Sequence, residues 1–189
     1  HGLLDFFQQL ALAVTSAQFK RMFLFDGGPV SRVGDDHRVF SQVLGGFAGV
    51  TDVLRATQHR AHDAFPFSTT VDSDVISQAR AANEYGAHVY VGFESNDTDD
   101  CVIYFYEVPT FHSVGGKALA ERIVATMRDR VPELTVRAQG MRHPVLRETR
   151  MPAVLCSLGP QPIVRLKVTG IANAMVAALR DWLAAPLEG

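Results

Sequence analysis

Ala87-His88-Val89-Tyr90-Val91-Gly92-Phe93-Glu94-Ser95-Asn96 is the stretch on which the fold turns. Its first part is rich in β-branched and aromatic residues and then stops on a carboxylate, a hydroxyl and an amide. That pattern predicts a strand over His88 to Phe93 with polar groups at its carboxyl end. Immediately upstream, Asp72 to Tyr85 begins on acidic residues, which suits the positive end of a helix, and predicts one. Immediately downstream, the polar run Ser95 to Asp100 predicts a turn, and Cys101 to Val108 a further strand.

Further out, Ser113 to Val131 places Leu119, Ile123, Val124, Met127 and Val131 on one helical face, and Pro132 closes it. Pro152 to Leu158 predicts a late strand. Ile171 to Leu183 predicts a last helix with Ile171, Met175, Ala178, Leu179 and Trp182 in one stripe. Towards the N-terminus, Leu3 to Val14 predicts an amphipathic helix, and Met22 to Phe25 a strand halted by Asp26-Gly27-Gly28-Pro29. His37 to Phe47, with Val39, Phe40, Val43, Leu44 and Phe47 on one face, predicts a helix. Thr51 to Thr57 predicts a strand and Gln58 to Thr70 a loop. Alternating strands and helices imply an α/β fold: a single three-layer domain, its twisted, mainly parallel sheet covered by helices on both faces. Residues 1–20 are expected as an N-terminal helical segment and 21–189 as the domain. Ligands in such folds gather at the carboxyl ends of the strands, here Asp26 to Pro29, Thr57 onward, Glu94 to Asn96 and Ser157 to Pro160.

Composition narrows the function classes. The 189 residues are 47% hydrophobic, enough for one core, and carry a formal net charge of −2. Near-neutrality excludes a broad basic footprint for nucleic acid. No apolar run reaches the roughly 18 residues a membrane span needs. Cys101 and Cys156 form neither a metal spacing nor a disulfide framework, and their apolar surroundings predict buried thiols.

Three segments together carry a resemblance. Ser77-Gln78-Ala79-Arg80-Ala81-Ala82-Asn83 runs into the strand quoted above. Leu146-Arg147-Glu148-Thr149-Arg150-Met151-Pro152-Ala153-Val154-Leu155 leads into the late strand, and Phe23-Leu24-Phe25-Asp26-Gly27-Gly28 precedes both. From Arg21 to Leu183 the chain resembles the zinc-dependent N-acetylmuramoyl-L-alanine amidases, which cleave between the glycan and the stem peptide of bacterial peptidoglycan. The resemblance implies an amidase-like domain over 21–189 and a zinc ion held by two histidines and a glutamate. It also implies a second glutamate that takes a proton from the metal-bound water. Three protein ligands and one open position lower the pKa of that water to about 7.

Matched position by position, the chemistry is missing. The first histidine falls at Pro29, or at Asp26 in a shifted alignment. The glutamate ligand falls near Asp36, the second histidine at Glu94 and the catalytic glutamate at Ser157. Carboxylates without nitrogen ligands suit hard cations better than tetrahedral zinc, and a serine cannot act as base towards water near neutral pH. The expectation is therefore a chain with no catalytic residue of the family and no bound zinc. It would be a degenerate domain that binds a peptidoglycan fragment or precursor, or a cell-wall-synthesis protein, as a binding or regulatory protein. Asp26, Asp36, Glu94, Asn96, Ser157 and Arg147 would line the cleft. The family includes metal-free actinobacterial relatives of the CwlM type, and a member of that kind would be cytoplasmic. Otherwise the cell envelope is expected, with a signal outside this chain. Two alternatives stand beside this reading: an active amidase whose metal site is rebuilt from Asp36, Glu94 and a histidine such as His37, and an interaction module of a cell-wall or division complex that docks through Leu3 to Val14.

Other polar groups have plainer readings. Glu94 is either a binding group or a surface carboxylate paired with an arginine such as Arg55. His59 and His62 read as solvated loop histidines, and Asp97, Asp99 and Asp100 as a solvated turn lacking the glycine and terminal glutamate of a calcium loop. Gly115-Gly116 reads as an irregular helix start rather than a phosphate cradle. Ser157 lacks the Gly-x-Ser-x-Gly setting of a hydrolase nucleophile, although His112 or His143 could be imagined as its partner. Arg137, Arg142, Arg147 and Arg150 read as solvent-facing or as one edge of the cleft.

Overall fold

A computed structural model describes residues 38–45, 48–61, 67–69 and 74–184. The helix expected over Leu3 to Val14, the strand expected over Met22 to Phe25, and the candidates Asp26, Pro29, Asp36 and His37 lie outside these residues. In chain order the elements are β1 (Val39–Gly45), α1 (Ala48–Ala61), β2 (Phe67–Thr69), α2 (Val75–Tyr85), β3 (Val89–Ser95), β4 (Asp100–Val108) and β5 (Phe111–His112). They continue with α3 (Val114–Arg130), β6 (Thr135–Met141), α4 (Pro144–Glu148), β7 (Ala153–Leu158), α5 (Gln161–Leu166) and α6 (Val168–Ala184).

The strands order as β2-β1-β3-β7-β4-β6, with β5 folding back antiparallel onto the end of β4. β1 pairs parallel with both β2 and β3, and β3 pairs parallel with β7. β4 meets β7 antiparallel and carries β6 parallel to itself. The sheet is thus mixed but mostly parallel, and it has two covered faces.

On one face Val91, Phe93, Ile103, Val154 and Cys156 pack with Val53 of α1, Leu119, Ile123 and Met127 of α3, and Met175 and Leu179 of α6. On the other, Tyr90, Ala153 and Leu155 pack with Ala79 and Ala82 of α2 and Val145 and Leu146 of α4. Every residue of the apolar faces predicted for α3 and α6 is buried.

Local chemistry fixes the helix ends. Asp74 accepts from the Ser77 amide at 2.7 Å, which satisfies a donor left open at the start of α2. Ser113 does the same for Gly116 at 3.1 Å at the start of α3. A Cβ on Gly116 would meet the Ala153 carbonyl oxygen at 3.0 Å, so this glycine lets the first turn of α3 lie against the entry of β7. That explains Gly115-Gly116 as packing.

Two predicted elements are overturned. His37 to Phe47 is not a helix; its centre is β1. A strand between two parallel neighbours has both faces covered, so its apolar residues run nearly continuously rather than alternating, and spacing alone cannot separate it from a buried helix. Thr51 to Thr57 is not a strand but lies within α1, where Val50, Val53, Thr57 and Ala61 recur at helical spacing and are all buried. Thr57 is consequently no strand end: its hydroxyl donates to the Val53 carbonyl at 2.7 Å inside the helix. The loop expected over Gln58 to Thr70 holds the last turn of α1 and β2.

Candidate functional site

The parallel trio β1, β3 and β7 brings three carboxyl ends together, and the register sets which side chains share a face. Glu94 of β3 aligns with Ser157 of β7, Ser157 with Val102 of β4, and Val102 with Arg137 of β6. Side chains alternate along a strand, so Glu94 and Ser157 fall on the face of Tyr90 and Leu155, beneath α2 and α4. Cys156 falls on the opposite face. Of the predicted cleft residues, the fold therefore brings together Glu94, Asn96 and Ser157.

Ser157 is only 4% exposed, and its hydroxyl is already engaged. Asn96 Nδ2 donates to Ser157 Oγ at 3.0 Å and to the Asp100 carbonyl at 3.2 Å. Asn96 Oδ1 accepts from the Thr98 amide at 3.0 Å. The Thr98 hydroxyl lies 2.8 Å from both Asn96 Oδ1 and Asp100 Oδ1, so its single proton serves one or the other. Arg137 Nε donates to Asp100 Oδ2 at 2.8 Å. Hydrogen bonds from Thr98 and then Arg137 hold the Asp100 carboxyl below its ordinary value.

The turn that looked merely solvated thus includes an anchored stretch running from Ser157 to Arg137, with Asp97 and Asp99 exposed outside it. A Cβ on Gly159 would sit 2.0 Å from Asn96 Oδ1 and 2.5 Å from the Thr98 carbonyl oxygen, so only glycine lets the β7 exit pass this anchor.

His143 closes the other side. It caps α4 by accepting from the Val145 amide at Nδ1, at 3.3 Å, which leaves the proton of the neutral ring on Nε2. Burial lowers its pKa below 6.5, and the charge of Glu94 opposes that shift. Glu94 and His143 are therefore electrostatic neighbours across the mouth of the β3–β7 ends. Among the described residues Glu94 has no ion-pair partner, and Arg55, the arginine considered for it, bonds Asp52 at 3.3 Å. Arg147 is committed to Glu148 at 2.6 Å.

Among the described residues no nucleophile emerges. Both thiols are buried. Burial raises the Cys101 pKa to about 11 and drives that of Cys156 up as well. His59 lies on α1, not in a loop.

The first-ligand candidates Pro29 and Asp26 lie outside the described residues. Ligands of one ion must converge, and the described neighbours of β3 are β1 and β7. At the carboxyl end of β1 the sequence reads Val43-Leu44-Gly45, without a histidine or carboxylate. The helix that follows is α1, whose first acidic residue, Asp52, bonds Arg55. With Glu94 at the end of β3 and Ser157 at the end of β7, these positions do not fit a zinc ion held by two histidines and a glutamate. Among the described residues no three His, Cys, Asp or Glu side chains cluster in a way that could hold a metal ion.

Thr98 is the residue of the anchor from Ser157 to Arg137 that motif matching misses. The sequence offers His143 only as a partner for Ser157 and Arg137 only as a solvent-facing or cleft-edge group; the structure gives them a helix cap and an anchor to Asp100 instead.

Three comparisons bear on this arrangement. No family model matches the chain, and no curated protein does. Solved structures do match. The N-acetylmuramoyl-L-alanine amidase AmiC2 of Nostoc punctiforme is 19% identical with a TM-score of 0.63, over 79% of this chain and 99% of that one. An N-acetylmuramoyl-L-alanine amidase from Clostridium difficile 630 is 16% identical with a TM-score of 0.65, over 82% and 100%. The CwlD amidase from Clostridioides difficile, solved in complex with the GerS lipoprotein, is 10% identical with a TM-score of 0.60, over 78% and 98%. The chain has the fold of these amidases, as its motifs implied; at such identities the likeness is one of fold.

Proposed function

We propose that this chain is a non-hydrolysing, amidase-fold domain that binds a peptidoglycan fragment or precursor and serves cell-wall metabolism as a binding or regulatory protein. The observation that carries the proposal is Ser157. It stands where the fold's catalytic carboxylate is expected, it is buried, and its hydroxyl is held by Asn96 at 3.0 Å. A general base must reach its proton from a substrate-accessible position and titrate near the working pH; a buried serine hydroxyl meets neither demand.

Support also comes from what surrounds it. The position of the second metal nitrogen carries Glu94, and the end of β1 offers no ligand side chain. The anchor from Ser157 to Arg137 holds the rim through hydrogen bonds among protein groups. Glu94 offers an acceptor and the Nε2 of neutral His143 a donor, the kinds of group that recognise amides and hydroxyls of a ligand.

The test is calorimetric titration of the zinc-supplemented protein with a soluble muropeptide, followed by elemental analysis after dialysis. The proposal expects saturable binding, weakened by Glu94→Ala, and zinc well below one equivalent per chain. No binding, or one zinc per chain lost in Glu94→Ala, overturns it in favour of the hydrolase with a rebuilt site.

A further inference from the structure

A cavity of about 520 Å³, separate from Glu94 and Ser157, lies on the α2 side of the sheet. It opens between α2 and the segment that follows α4, lined by Ile76, Arg80, Asn83, Glu84, Glu148 and Arg150. Its size is that of a small-molecule site. Its frame is rigid, because Asn83 bridges the two walls: its Nδ2 donates to the Glu148 carbonyl at 2.9 Å, and its Oδ1 accepts from the Arg150 amide at 2.9 Å.

Three of the four charges in this lining have no ion pair among the described residues. Among the described residues the guanidiniums of Arg80 and Arg150 and the carboxylate of Glu84 make no hydrogen bond or ion pair, while the charge of Arg80 also acts on Asp74. Glu148 is taken by Arg147. Ile76 adds an apolar wall that is 40% exposed.

The chemistry selects among anions. Two planar guanidiniums match an oxyanion in bidentate geometry. Two glutamates in the same lining repel a polyanion such as a nucleotide or a densely phosphorylated chain more than a single carboxylate. They also accept hydrogen bonds from an amide or ammonium group beside that carboxylate, and Ile76 suits a small apolar side chain. We infer that this cavity binds the carboxyl end of a short peptide or an amino acid. Arg80 and Arg150 would hold the carboxylate and Glu84 the neighbouring N–H. The inference is independent of what the Glu94–Ser157 end of the sheet recognises.

The test titrates N-acetyl-alanyl-alanine, its C-terminal amide and inorganic phosphate into the whole protein, read by calorimetry or by amide chemical shifts. The free-acid peptide should bind saturably. Binding should fall about tenfold or more in Arg80→Ala and in Arg150→Ala, the value of a charge-assisted hydrogen bond, and Arg180→Ala, exposed on α6 on the opposite face of the sheet, should leave it unchanged. Among the described residues neither lining guanidinium makes a hydrogen bond or ion pair, so both variants should keep the wild-type melting temperature to within a few degrees. Equal binding of the amide, wild-type affinity in both arginine variants, tighter binding of phosphate than of the peptide, or no peptide binding overturns the inference.

Discussion

At the scale of the residue, the proposed non-hydrolysing site comes down to a few atoms whose roles can be separated. Gly159 is held to glycine by Asn96 and Thr98, so Gly159→Ala must displace the Asn96 side chain or the turn backbone. The expected cost is about 1–3 kcal/mol, typical of overpacking, seen as a lower urea midpoint with an unchanged slope. An unchanged midpoint would mean the anchor is loose. His143 gives a pH signature of opposite origin. Its folded pKa lies below 6.5, so the unfolded chain takes up the proton first as pH falls, and stability declines as pH drops below about 6.5. Protonation also removes the acceptor for the Val145 amide. Thermal melts between pH 7.5 and 5.5 should show this loss, and His143→Asn, which can still cap α4, should flatten it. The carboxyls of Asp74 and Asp100, held below their ordinary values by hydrogen bonds, lose their contribution only at more acid pH and do not mimic the effect.

At the scale of the element, the sequence motifs turn out to be a joint rather than a site. The helix motif ends in Asn83, and the run before β7 supplies the Glu148 carbonyl and the Arg150 amide that Asn83 clasps. Asn83→Ala removes both bonds and should cost about 1–3 kcal/mol in chemical denaturation, with the secondary structure retained at low denaturant. A neutral variant would show that the joint is held by Val145 and Leu146 alone. The same scale explains which parts of the fold were legible. The helices α3 and α6 were read correctly because one face of each is buried and the other wet. β3, β4 and β7 were found from β-branched and aromatic runs between turns. β1 and α1 exchanged identities, because a strand flanked on both sides has no alternation to read, and Thr51, Val53 and Thr57 supply β-branched residues to a helix. β6 went unseen because Val136 is its only fully buried residue. Its edge is instead closed by Arg128, whose Nε donates to the Val136 carbonyl at 2.9 Å, a contact between residues eight apart that no local pattern announces. In the site, Glu94, Asn96 and Ser157 could be placed from the strand ends. The anchor to Arg137 could not, since it depends on β6 lying beside β4.

At the scale of the whole molecule, the chain has the fold of the peptidoglycan amidases, and the proposed reading sets Glu94 and the buried Ser157 at the positions that would carry their chemistry. The near-neutral charge of the chain fits recognition at a shaped site better than adhesion through a basic surface. The most direct test incubates the zinc-supplemented protein with a muropeptide and follows the free stem peptide by mass spectrometry. The account predicts release no faster than in buffer, for the wild type and for Glu94→Ala alike. Release by the wild type that Glu94→Ala abolishes would contradict it.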